Sequence, residues 1–270
     1  TAIAIKAKDG IVFAVENIVT SKLYEPSSNK RIFHIDSHIG MCIAGLLADA
    51  KHLVEKARDE CAYYRENTGE PIPLSSLTER LSQYIHVYTL YSAVRPFGVS
   101  VMLCSMDKSG PNLYMIEPSG LYYSYTGCAI GKAKQNAKTE IEKMDVTKMS
   151  CKDLIKEAAR IIYVVHDEIK DKNFELEMSW IGDATENLHQ FLEGDKLKEV
   201  ENYAQKAIED EDISRERVDI IGYFRKGPVF IGNDIDVESN LHSTMYNEVG
   251  ITLVRRDNKS VNEMTREIDS

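Results

Sequence analysis

A chain of 270 residues is long enough for one large domain or two small ones, with a real core. Its 43% hydrophobic and 28% charged residues are globular in make-up, and a formal net charge of −10 argues against a nucleic-acid surface built on a global positive field, leaving only a local basic patch. No apolar run nears the ~18 residues needed to cross a bilayer, and the opening residues do not read as a signal peptide.

The five cysteines, Cys42, Cys61, Cys104, Cys128 and Cys151, are odd in number, widely spaced and set in apolar surroundings. None forms a CxxC pair or a Cys/His cluster with zinc spacing, so they read as buried reduced thiols with no metal. A reducing compartment, cytosol or nucleus, is expected. The first residue is not Met, so the chain reads as processed or truncated.

Taken in order, the elements begin with strands. Residues 2–8 (AIAIKAK) precede Asp9-Gly10, a hairpin signal, and then Ile11 to Val15. A second pair runs from Arg31 to Ile35 and from Ile39 to Ala44, turning near Asp36-Ser37. These strands are apolar on both faces in places, as in a sheet covered on both sides. Leu46, Leu47, Ala50, Leu53, Val54, Ala57, Cys61 and Ala62 recur at three- and four-residue steps, predicting an amphipathic helix that ends at Thr68-Gly69. A second helix carries Leu77, Leu81, Ile85, Tyr88 and Leu90, is capped by Ser75 or Ser76, and stops before Arg95-Pro96-Phe97-Gly98.

A β block from Val99 to about Tyr125 is broken by turns at Lys108-Ser109-Gly110-Pro111 and Glu117-Pro118-Ser119-Gly120. Helices follow near 132–143 and 152–169, the latter with Leu154, Ile155, Ala158, Ile161, Ile162 and Val165 on one face. A strand from Phe174 to Ile181 and a charged helix near 196–209 complete this region. Helices arriving in pairs between antiparallel strand blocks predict an α+β fold, two stacked sheets with a helical layer outside each. After the acidic run Glu209-Asp210-Glu211-Asp212 the character changes. Residues 213–270 mix strand-like pieces, near 218–224 and 251–254, with polar stretches and have no assigned fold.

The sharpest chemical feature is Thr1. An N-terminal threonine can serve as nucleophile and base together, because its α-amine can take the hydroxyl proton. That chemistry needs a carboxylate and a cation to orient the amine and tune its pKa. Weaker signals accompany it. Gly127-Cys128-Ala129-Ile130-Gly131-Lys132 resembles a phosphate loop but is one residue short and lacks the following Ser or Thr, so no nucleotide cofactor is expected. Ser27 and Lys30 form an S-x-x-K pattern that is common by chance. His52 and Cys61 are nine residues apart on one helix and do not meet. His166-Asp167 reads as a helix end, with a cap or surface role.

Several segments read together as one family. They are residues 21–24 (SKLY), 45–50 (GLLADA), 88–98 (YTLYSAVRPFG), 113–120 (LYMIEPSG), 127–143 (GCAIGKAKQNAKTEIEK) and 158–182. The stretch from Thr1 to about Asp212 resembles the α-type subunits of the 20S proteasome, most of all the type-3 group. The resemblance implies a four-layer α/β/β/α sandwich of the N-terminal-nucleophile hydrolase type, without catalytic activity. It implies partners as well: other α subunits in a seven-membered ring, β-ring subunits, and activators or regulatory particles. Neither membrane nor nucleic acid is expected.

In the catalytic members of this family the carboxylate is an aspartate after the second strand and the cation a lysine opening the third. Here Glu16 and Arg31 hold those places, with Lys30 beside the latter. Glu is longer by a methylene, roughly 1 Å, which positioned catalysis tolerates badly. Arg cannot share a proton near neutral pH as a poised Lys can. Thr1 is therefore read as an internal strand residue exposed by truncation, with an active threonine peptidase as the alternative. Activator tails dock between α subunits, where a lysine meets the tail carboxylate. Arg31 falls there, with Lys30 adjacent and Gly45 and Leu46 matching the pocket floor, unless Lys30 and Arg31 simply sit at the ring interface. The family's N-terminal helix and gate tail are missing from this sequence, and residues 213–270 do not resemble its acidic tail. The expected organisation is an α-type domain over 1–212 and an unassigned extension over 213–270.

Overall fold

The computed structural model describes residues 1–209 except 22, 26, 27, 109 and 167–173. Ser27, Asp167, the expected boundary at 212/213 and the strand-like pieces beyond it lie outside the described residues.

The elements are β1 (Ala2–Ala7), β2 (Gly10–Ile18), β3 (Ile32–Asp36), β4 (Ile39–Gly45), α1 (Leu47–Thr68), α2 (Leu74–Val87), β5 (Val99–Asp107), β6 (Gly110–Ile116), β7 (Tyr122–Ser124), β8 (Gly127–Ile130), α3 (Lys134–Glu142), α4 (Cys151–Val165), β9 (Phe174–Gly182) and β10 (Gln190–Leu192). Residues 195–209 are also helical. One sheet has the order β10-β9-β2-β1-β8 and the other β3-β4-β5-β6-β7, and every neighbouring pair is antiparallel.

Side-chain alternation along each strand sorts the core into three layers. On β1, Ile3 and Ile5 face α3 and α4, while Ala2 and Ala4 face the other sheet. On β2, Val12 and Ala14 go outward, and Ile11, Phe13 and Val15 go between the sheets. On β5, Val101 and Leu103 meet α1 and α2, while Met102 and Cys104 turn inward. The result is the expected four-layer α/β/β/α sandwich. The layer between the sheets is rich in small side chains, Ala2, Ala4, Cys42, Cys104 and Cys128, so the sheets pack closely around Phe13. All five cysteines are buried free thiols, and burial pushes Cys61, Cys128 and Cys151 up to about 12.

Several local expectations are corrected. The pairing Ala7↔Gly10 puts the first turn on Lys8-Asp9, not Asp9-Gly10. Gly10 is needed for close approach instead, because a Cβ there would lie 2.2 Å from the Ile181 carbonyl oxygen. Asp9 accepts a 2.8 Å hydrogen bond from the Cys151 amide at the start of α4, satisfying a helix N-terminal donor from across the fold. Leu46 precedes α1 and Ala62 is exposed, so neither belongs to the buried stripe of that helix. α2 starts at Leu74 after Pro73 with no side-chain cap, placing Ser75 and Ser76 inside its first turn, and it ends before Leu90. α4 starts at Cys151 with Ser150 as its cap and ends at Val165. β10 and the 3-10 turn Asp183–Thr185 before it carried no usable periodicity.

Candidate functional site

Thr1 continues the β1–β2 ladder by one step, its carbonyl accepting the Glu16 amide at 2.9 Å. Its hydroxyl accepts the Ala133 amide at 3.3 Å, just before α3. Gly131, at φ 101°, folds the connection from β8 over Thr1, and a Cβ there would come within 3.2 Å of the Thr1 Cα. The Thr1 side chain is left only 1% exposed.

Glu16, at the end of β2, reaches the Thr1 nitrogen with Oε2 at 3.0 Å, while its Oε1 lies 2.6 Å from His166 Nδ1. This contact needs only an N–H donor at residue 1. Burial pushes the Glu16 carboxyl up, but the hydrogen bond from His166 and the neighbouring amine bring it below its ordinary value. His166 is therefore no surface residue. It ends α4, packs on Phe174 with ring centroids 4.4 Å apart, and inserts its side chain beside Glu16. Periodicity within α4 cannot reveal this, because the contact depends on how α4 lies across β2.

Arg31 does not complete the set. Among the described residues its guanidinium makes no ion pair with Thr1 or Glu16. Its backbone is pinned instead: the Arg31 and Ile32 amides both donate to the Glu177 carboxylate, at 2.8 and 3.2 Å, and its carbonyl accepts the Ile43 amide at 3.0 Å. Successive amides of an extended strand point in opposite directions, so the chain kinks as it enters β3. Glu177 also accepts Asn17 Nδ2 at 2.7 Å, yet burial dominates and its carboxyl rises above its ordinary value. Lys30 is drawn elsewhere, its Nζ lying 5.2 Å over the Phe191 ring.

The corner after β4 is tightly built. Gly45 has φ 131°, and a Cβ there would sit 2.2 Å from the Gly98 carbonyl oxygen. The Leu46 amide donates to that same oxygen at 2.9 Å. Asp49, in the first turn of α1, accepts the Gly98 amide at 2.9 Å and both Arg95 Nη atoms at 2.7 and 2.8 Å. The Arg95 guanidinium holds the Asp49 carboxyl down at about 2. Leu46 remains 55% exposed above this base. Gly45→Ala is expected to cost about 1–3 kcal/mol of stability, read as a lowered urea midpoint, because the corner must open to admit the methyl. A midpoint within error of the parent would overturn this account.

A family profile described as "Proteasome: Proteasome subunit" matches residues 1–181. The chain belongs to the proteasome subunit family. It is 49% identical to "Proteasome subunit alpha type-3" of Dictyostelium discoideum over 210 residues, covering 78% of this chain and 85% of the relative. It is 50% identical to "Proteasome subunit alpha type-3" of Acanthamoeba castellanii over 219 residues, covering 81% and 87%. The protein of the same name from Arabidopsis thaliana is 49% identical over 212 residues, covering 78% and 85%.

The α+β sandwich of this proteasome subunit is thus of the N-terminal-nucleophile hydrolase type. Two of its three residues at the catalytic positions, Thr1 and Glu16, meet, and Arg31 stands apart. The phosphate-loop likeness fails physically. Gly127–Ile130 is strand β8, paired with β1, and its backbone serves the sheet rather than an anion. His52 bonds Tyr84 at 2.8 Å, and Cys61 is buried elsewhere on α1. Sequence reasoning also missed a buried histidine pair. His189 Nδ1 lies 2.7 Å from His34 Nδ1, and its Nε2 lies 2.8 Å from Ser179 Oγ. Among the described residues no group of three or more His, Cys, Asp or Glu side chains could hold a metal ion.

Proposed function

We propose that the chain is a non-catalytic α-type subunit of the 20S proteasome core particle, a structural ring member with a part in gating the entry of substrate proteins. On this reading its partners are other α subunits in a seven-membered ring, β-ring subunits, and regulatory particles or activators. It uses no cofactor. It serves ubiquitin-dependent protein degradation in the cytoplasm and nucleus.

The observation that carries the reading is the burial of Thr1. A nucleophile must reach its substrate, and this hydroxyl is covered by the β8–α3 connection and occupied by the Ala133 amide. The detached Arg31 and the alpha type-3 names of the relatives support it. Arg31, Gly45 and Leu46 form the proposed activator-tail pocket: a cation for the tail carboxylate beside an exposed apolar wall. Lys30, committed to Phe191, contributes charge from the side.

A second reading, an active threonine peptidase, is favoured by one contact, the Glu16 carboxylate at the Thr1 nitrogen. Two measurements separate them. In native extract the full chain is expected to co-sediment with a 20S particle, and its absence from that fraction counts against the ring subunit. Thr1→Ala is expected to leave hydrolysis of fluorogenic peptides by that particle unchanged. Loss of activity would favour the peptidase.

A further inference from the structure

The corner between β4 and α1 carries more chemistry than a chain reversal needs. A closed circuit of hydrogen bonds runs from the Leu46 amide to the Gly98 carbonyl, from the Gly98 amide to Asp49 Oδ2, and through the first turn of α1 back to Leu46. Arg95 closes it from outside with two parallel bonds to Asp49 and a third, at 3.1 Å, to the Pro96 carbonyl. Leu46 Cδ1 rests against Gly98, where a Cβ would come within 2.8 Å. A leucine more than half exposed is ordinarily free to change rotamer. This one has its backbone held on one side and its side chain seated on a bare glycine.

The charges matter as much as the shape. Asp49 is buried four residues from Gly45, and an uncompensated carboxylate there would repel any anion approaching the Gly45–Leu46 corner. Arg95, 65% exposed on its side chain, neutralises it from the solvent side. The guanidinium's fork satisfies both carboxylate oxygens at once, which an ammonium cannot do.

We infer that Asp49 and Arg95 are positioning residues for the capture of a free peptide carboxylate: they set the Gly45–Leu46 wall and cancel the negative charge behind it, while Arg31 supplies the cation. This inference rests on the tail-pocket reading above. It assigns the Arg95-Pro96-Phe97-Gly98 segment a part in binding as well as in folding.

The test uses the assembled particle containing the full chain. The probe is a short synthetic peptide with a photoreactive residue and a free C-terminal carboxylate, compared with its C-terminal carboxamide. The quantity read is label recovered on this chain against peptide concentration. Arg95→Ala is expected to raise the half-saturating concentration of the carboxylate peptide on the order of tenfold, and that of the carboxamide less, because repulsion by Asp49 acts only on the charged end. Arg95→Lys is expected to recover part of the loss, since it keeps the charge and drops the fork. Asp49→Asn combined with Arg95→Ala is expected to restore the response to the carboxylate further, by removing the unmasked charge. Co-sedimentation of each variant with the particle confirms assembly. If Arg31→Ala leaves labelling unchanged, the pocket reading itself falls. If Arg31→Ala weakens labelling while Arg95→Ala stays within twofold of the parent for both peptides, the pocket stands and the positioning role is overturned.

Discussion

Phe13→Ala is expected to destabilise the full chain by about 3–5 kcal/mol, seen as a lower urea midpoint with little change in slope. Phe13 is buried on β2 in the layer between the two sheets. Its neighbours there are mostly small or medium side chains, and its ring lies edge-on to His189 at a centroid distance of 6.4 Å. A cavity at this point closes poorly. Both walls are hydrogen-bonded sheets, which cannot slide toward each other without breaking the ladders β1–β2 and β2–β9 on one side and β4–β5 on the other. An equivalent truncation under a helix, such as Leu81→Ala on α2, removes less volume and leaves a helix free to shift inward. A loss under about 1 kcal/mol for Phe13→Ala would mean that the sheets do relax, and would contradict the rigid-wall argument.

Acidification is expected to weaken the fold through His189. Burial, with the neighbouring His34 adding to it, drives the imidazole down to about 3. An unfolded histidine titrates near 6.5. Between those values the unfolded chain binds a proton that the folded chain refuses, so stability is complete above about pH 6.5 and is lost as the pH falls toward 3. About 2 kcal/mol of that loss falls between pH 6.5 and pH 5, and the whole is on the order of 4 kcal/mol.

The geometry agrees. With His34 and His189 Nδ1 to Nδ1 at 2.7 Å, one ring donates and the other accepts, and a second proton would set two N–H groups against each other. Lys30 and Arg58 add positive charge beside His34 and hold its own pKa down in the same direction, after burial. The contact matters because His189 joins the two sheets. Its amide donates to the Ser37 carbonyl at 2.9 Å, and its ring lies where a Cβ on Gly40 would collide with it. Urea midpoints of parent and His189→Gln from pH 7.5 to 5 provide the check. The variant is expected to show a flatter profile, and an identical slope in both proteins would remove His189 as the cause.

The strand and helix pattern was legible because each element carries its own periodicity. The stripe of α4, Leu154 to Val165, is buried as read, and the apolar double-facedness of β1, β2 and β5 correctly announced layers on both sides. The errors are local and have physical causes. Asp9-Gly10 looked like a turn because Gly favours turns, whereas this glycine is demanded by the Ile181 carbonyl, which belongs to β9. Ser75 and Ser76 looked like caps because either could cap, and Pro73 ended the extended approach first. β10 is three residues long and holds its place by pairing with β9, a contact that leaves no period in the chain.

The candidate site divides in the same way. The sequence by itself determined that Thr1, Glu16 and Arg31 stand where a catalytic family member would have its nucleophile, carboxylate and cation. It determined too that Gly45, Leu46 and Arg95-Pro96-Phe97-Gly98 belong to one conserved-looking α-type pattern, and that the fold is a two-sheet sandwich. Only the tertiary structure decided what those residues do. It buried Thr1 under the β8–α3 connection, gave Glu16 to His166 from α4, and tied Arg31 by its backbone to Glu177 of β9. It sent Lys30 to Phe191 and locked Leu46 over the Asp49–Arg95 pair. The reason is that periodicity records which face of an element is apolar, whereas exposure, charge pairing and hydrogen-bond partners are set by elements far apart in the chain, whose meeting no local pattern encodes.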